Sequence, residues 1–105
     1  MNKNWVIHVV DDDEPVRTAL EFALTAAKFD VIVHASVADF PTTEMIDHGL
    51  LICDVRMPLM SGIELTRALR QAGSTMPIIL LTGHASPALQ LEAMEAEAVE
   101  AYERE

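Results

Sequence analysis

Apolar residues recur along the chain in short, β-branched runs at wide intervals: WVIHVV (5–10), VIV (31–33), LLIC (50–53) and PIILL (77–81). These runs are apolar nearly throughout instead of alternating, which suits strands buried on both faces of a parallel sheet. Between them the period changes to that of a helix. Val16, Leu20, Ala23, Leu24 and Ala27 fall on one helical face, with Pro15 where a first turn tolerates it and Asp13 or Glu14 placed to cap. Ile63, Leu65, Leu69 and Ala72 make a second helix, ended by Gly73. Ser86 and Pro87 open a third through LQLEAMEAEA. Segment 36–48 is harder to read, because Pro41 interrupts whatever helix Ser36 starts. A glutamate-rich end leads into a last short strand, Val99 to Tyr102. Strands and helices alternating this closely imply βαβ units in one α/β domain.

Composition narrows the function. The chain has 105 residues, half of them hydrophobic, which is enough for one domain with a real core. No apolar window is long enough to cross a membrane, and the N-terminal apolar run is too short for a signal peptide. Seventeen acidic against seven basic side chains give a net charge of -10, which argues against direct contact with nucleic acid or an anionic membrane. The lone Cys53 has no internal disulfide partner and fits a reducing cytoplasm.

The chemistry gathers where strands end. In an open parallel sheet, ligands bind outside the carboxyl ends of the strands. WVIHVV runs into Asp11-Asp12-Asp13-Glu14, LLIC runs into Asp54, and PIILL ends in Thr82-Gly83. Neighbouring strand ends lie roughly 5 Å apart, so acids on two of them repel unless a cation sits between. A hard divalent ion such as Mg²⁺ would resolve that repulsion.

Asp11-Asp12, the D-x-x-M-P-x-x-x-G of Asp54 to Gly62, and Thr82-Gly83-His84 together resemble the receiver domain of bacterial two-component response regulators. The run VVDDDEPVRTAL…CDVRMPLMSGIEL…LLTGH looks most like receivers of the nitrogen-fixation regulator group. The resemblance implies a flavodoxin-like (CheY-like), doubly wound sheet of five parallel strands in the order 2-1-3-4-5. It also implies that Asp54 accepts a phosphoryl group from a sensor histidine kinase or a small donor, and that the domain acts as a phosphorylation-dependent switch. Asp12 would ligate Mg²⁺, Asp11 would do so directly or through water, Asp54 would be the third carboxylate on the ion, and the carbonyl of Arg56 would complete the protein ligands. Thr82 would give its hydroxyl to a phosphoryl oxygen, with Gly83 leaving room for the approach. His84 belongs to the same motif without a clear chemical part.

The pattern departs near the end of the chain. The lysine common in this family falls at Arg104, where a planar fork replaces a compact ammonium. Position 101, where an aromatic is common, is alanine, with Tyr102 one place later; a glycine position is Glu97, and the last helix of the fold is missing. A single truncated receiver over 1–105 without an output domain is therefore expected. A sheet face left bare by that helix would favour a homodimer or a partner helix. Two other readings stay open: a receiver-like interaction or dimerisation module that no longer switches, and a Mg²⁺-dependent hydrolase of related fold. The hydrolase lacks a general acid beside Asp54, since Arg56 stands there. His8, His34 and His48 show no metal-ligand spacing, and Cys53 alternates with Asp54, so an inert buried thiol is expected.

Overall fold

The computed structural model describes residues 6–40, 49–83, 86–96, 98 and 100–103. Five strands, β1 (Val6–Val10), β2 (Asp30–His34), β3 (Gly49–Asp54), β4 (Ile78–Thr82) and β5 (Glu100–Glu103), form one sheet in the order β2-β1-β3-β4-β5. Every neighbouring pair is parallel. This is the sheet that the alternating strands and helices imply, in the order expected for a flavodoxin-like fold.

Three helices connect the strands: α1 (Glu14–Ala26), α2 (Gly62–Gln71) and α3 (Pro87–Glu95). Each begins on a polar cap that satisfies an otherwise unpaired backbone N–H. The Asp13 carboxylate accepts from the Val16 N–H and the Ser86 hydroxyl from the Leu89 N–H. Ser61 and Glu64 form a reciprocal capping box at the start of α2. That helix stops at Gly73, whose φ of 93° lets the Gly73 and Ser74 amides bond back to the Arg70 and Leu69 carbonyls. The same closure follows α1, but there Lys28 adopts a φ of 76°. After Ser36 the chain makes only a 3₁₀ turn, Val37–Asp39, before Phe40. Residues 41–48, with Pro41 and His48, lie outside the described residues.

Most of the core lies on one face of the sheet, while Ile7 and Val9 of β1 are buried on the other. Val10, Leu51, Cys53, Ile78 and Leu80 meet Ile63, Leu65 and Leu69 of α2 and Ala93 of α3. The alternating positions Leu50, Ile52, Ile79 and Leu81 belong to the other face and are only half-buried. Against the expected apolar stripe, α1 has no buried residue. Val16, Leu20 and Leu24 are half-buried, Ala23 is exposed, and Ala27 lies beyond the helix as its C-cap. The physical reason is position: α1 packs on β1 and on the edge strand β2, so among the described elements little covers the outer side of its stripe. Phe22 on this helix is 77% exposed.

Candidate phosphoacceptor and metal site

Strand order creates the site. Because β1 and β3 are neighbours with Val10 opposite Cys53, the residues that follow, Asp11 and Asp54, leave the sheet side by side. Asp11 is 1% exposed and Asp54 2%, whereas Asp12 faces solvent. One carboxylate oxygen from each of the three lies within 4.8 Å of the others. Two largely desolvated carboxylates and a third at the rim repel one another strongly unless a cation is shared. The donor set is oxygen only and open to water on the Asp12 side, so the residues fit Mg²⁺, which keeps several waters of its own.

The loops around the acids are held by backbone. The Asp13 N–H donates to Asp11 Oδ1 at 2.9 Å, an Asx turn that fixes the buried carboxylate. The Asp11 N–H donates to the His34 carbonyl at 3.2 Å, extending the β1–β2 pairing to the site. After Asp54, the Val55 N–H donates to the Leu81 carbonyl at 2.8 Å, and the Gly62 N–H donates to the Val55 carbonyl at 2.9 Å. The loop from Arg56 to Ser61 is thereby closed on itself. Within it Leu59 has a φ of 76° and the Met60 N–H reaches the Pro58 carbonyl at 2.8 Å, a tight three-residue turn.

Thr82 ends β4 one position beyond Leu81, the register partner of Asp54, and is 2% exposed. Gly83 is exposed, and a side-chain carbon there would meet no atom within 4 Å. Arg56 is exposed in the loop two residues past Asp54. His84 and Arg104 lie outside the described residues, as do Trp5, Glu97 and Glu105. The backbone register sets Ala101 opposite Leu80 and Tyr102 opposite Leu81.

Cys53 is fully buried in the core, and its thiol donates to the Asp54 carbonyl at 3.4 Å. Burial first, then the Asp54 and Asp11 carboxylates, push its ionisation far above the usual thiol range. It is a packing group next to the site, not a nucleophile in it.

Three features of this region escaped sequence reasoning. Gly62 packs directly on the main chain of Asp54, a contact between a strand end and a helix start that no local pattern encodes. Arg17 Nη1 donates to the Asp11 carbonyl at 2.8 Å, and its only signal was a basic residue one helical turn into α1. His8 and His34, which lack ligand spacing along the chain, meet across strands with Nδ1 and Nε2 3.1 Å apart. Phe40 stands edge-on to both rings. Burial, and then the neighbouring His34, lower the His8 pKa from its ordinary value.

A parallel sheet in the order 2-1-3-4-5, with carboxylates at the ends of its first and third strands, is the architecture of doubly wound proteins that bind at the strands' carboxyl edge. Residues 7–102 match the family of response regulator receiver domains, and the chain belongs to that family. It is 41% identical over 102 residues to the transcriptional regulatory protein FixJ of Rhizobium meliloti (strain 1021), covering 96% of this chain and 50% of that protein. It is also 37% identical over 95 residues to the tetrathionate response regulatory protein TtrR of Salmonella typhimurium, covering 90% of this chain and 46% of that one. The chain thus spans about half the length of the curated relatives it matches. Among solved structures, FixJ-N superposes with a TM-score of 0.87 at 40% identity, covering 99% of this chain and 83% of that one. A BeF3-activated DrrB receiver domain superposes with a TM-score of 0.83 at 27% identity, covering 95% and 84%.

Proposed function

We propose that this receiver domain accepts a phosphoryl group on Asp54 from a sensor histidine kinase or a small phosphodonor, and that Asp11, Asp12, Asp54 and the Arg56 carbonyl hold Mg²⁺ for the transfer. The observation that carries this reading is the convergence of the Asp11, Asp12 and Asp54 carboxylates from two adjacent strand ends within 4.8 Å of one another. An Asp54 carboxylate oxygen attacks phosphorus, the bond to the donor nitrogen or oxygen breaks, and the electron pair leaves with the donor. Later attack by water on the acyl phosphate returns the carboxylate and inorganic phosphate. Mg²⁺, when bound, supplies positive charge to the phosphoryl oxygens. The protein's part is to keep Asp54 fixed at the end of β3, to bury its flanks, and to bring the Thr82 hydroxyl to the phosphoryl group. By sequence position alone, Arg104 is the candidate for a second cation at the phosphoryl group.

The same reading includes a homodimer formed over the sheet face on which Leu50, Ile52, Ile79 and Leu81 are half-buried. The net charge of -10 supports action without direct nucleic-acid contact, and the lone cysteine supports a cytoplasmic setting. Among the described residues, no helix is long and apolar enough to cross a membrane. Family membership weighs against an interaction module that no longer switches. The test is intact mass after incubation with acetyl phosphate and Mg²⁺. A gain of about 80 Da that disappears in Asp54→Ala is expected, and a folded protein with no adduct overturns the reading. For the dimer, sedimentation at tens of micromolar should show association, and a monomer overturns that part.

A further inference from the structure

The acidic pocket depends on a residue whose carboxylate no other described residue holds directly. Among the described residues, Asp12 has no hydrogen-bonding partner for its side chain, while Asp11 is tied down on both sides. The direction in which Asp12 points is therefore set by the peptide that joins it to Asp11. The carbonyl oxygen of that peptide accepts a 2.8 Å bond from Arg17 Nη1. Arg17 is itself anchored, being half-buried on the first turn of α1, with its own N–H donating to the Asp13 carbonyl at 3.0 Å. A guanidinium bond to a carbonyl is charge-assisted and directional, so it resists rotation of the Asp11–Asp12 peptide.

We propose that Arg17 is a positioning residue for Mg²⁺: by clamping the Asp11 carbonyl to α1 it fixes the peptide plane that aims Asp12 into the pocket. The inference rests on the reading of Asp11, Asp12 and Asp54 as a Mg²⁺ site. Two effects of the guanidinium oppose each other. Its positive charge near the pocket disfavours a dication, whereas the clamp prepays the ordering of a ligand. The charge acts through a half-exposed, water-screened path, while the clamp acts on a bond one residue from the ligand. Positioning wins, and removing Arg17 weakens metal binding.

Calorimetric titration with Mg²⁺ and hydrogen exchange of the metal-free protein test this. Arg17→Ala should bind Mg²⁺ about tenfold more weakly, the order seen when an outer partner of a metal ligand is lost, and Arg17→Lys should recover most of the difference. The Asp13 amide, bonded to Asp11 Oδ1, should exchange faster in metal-free Arg17→Ala. A purely structural role would lower the unfolding midpoint without changing the affinity of the folded protein. Arg17→Met keeps the apolar stem, loses only the donors, and is read in place of the alanine variant if that variant does not fold. Wild-type affinity and exchange in a folded variant overturn the proposal and leave the metal site standing. Tighter binding in the variant overturns it too, by making charge the larger effect. A wild-type protein that binds no Mg²⁺ overturns the metal site and this inference together.

Discussion

A methyl group at Gly62 would collide with the main-chain carbonyl oxygen of Asp54 and lie 3.1 Å from Leu80 Cδ2. The first residue of α2 therefore rests directly on the residue at the end of β3. This is why a glycine follows the Asp54 loop: the helix must approach the strand end closely for its amide to reach the Val55 carbonyl.

Gly62→Ala sets two effects against each other. Alanine is the better helix former by about 1 kcal/mol, but overpacking against backbone costs about 1–3 kcal/mol and this neighbour has little room to yield. The steric cost should prevail. Urea unfolding should show a less stable protein, and acetyl phosphate should give less adduct because Asp54 is displaced.

Asp12→Asn should have opposite consequences with and without metal. Without Mg²⁺, removing one of three carboxylates within 4.8 Å of one another relieves repulsion and raises stability. Because Asp12 is exposed, the gain is at most about 1 kcal/mol. In the wild type, Mg²⁺ at ten times its dissociation constant should raise stability by about 1.4 kcal/mol. The variant should lose that response. Thermal melts of both proteins with and without Mg²⁺ check the crossing.

Acid should weaken the fold through His8. Its pKa is lowered in the folded state from an ordinary value of 6.5, first by burial and then by His34. Below pH 6.5 the unfolded chain binds the proton more readily than the native one, so the contribution is fully present above that value and falls as pH drops towards the folded pKa. Urea midpoints between pH 7.5 and 5.5 should decline more steeply for the wild type than for His8→Leu. Equal slopes would assign the decline to the other histidines and the carboxylates.

Lys28→Gly should stabilise the protein by about 0.5–1 kcal/mol. Lys28 is exposed and holds a φ of 76° at the close of α1, a conformation that glycine adopts without steric cost. Denaturant titration at fixed pH measures the difference, and a loss of stability would mean that the lysine side chain supports the turn in some other way.

Much of the fold was legible in the chain because its signals are local. Strand runs without alternation marked a parallel sheet, although on one face Leu50, Ile52, Ile79 and Leu81 are only half-buried; Asp13, Ser86 and Gly73 marked helix ends, since caps and turns act over three or four residues. The Ser61–Glu64 capping box was as local, although the motif around it drew attention to Gly62 for other reasons. Asp11, Asp12 and Asp54 were legible as a group because strand-ending acids are unusual and the sheet order of the family makes their strands neighbours. The bare stripe of α1 was not legible. Periodicity shows which face of a helix is apolar, but not whether another element covers it.

The amino-acid sequence by itself determined the order of elements, the caps that bound the helices and the acids placed at strand ends, because each depends on residues a few positions apart. Only the tertiary structure decided that Gly62 lies on Asp54, that Arg17 clamps the Asp11 carbonyl, and that His8 and His34, 26 residues apart, share a hydrogen bond. Those contacts depend on register, on helix placement over the sheet and on which surfaces are shielded from water. They arise when distant segments pack, and no pattern within any one segment records them.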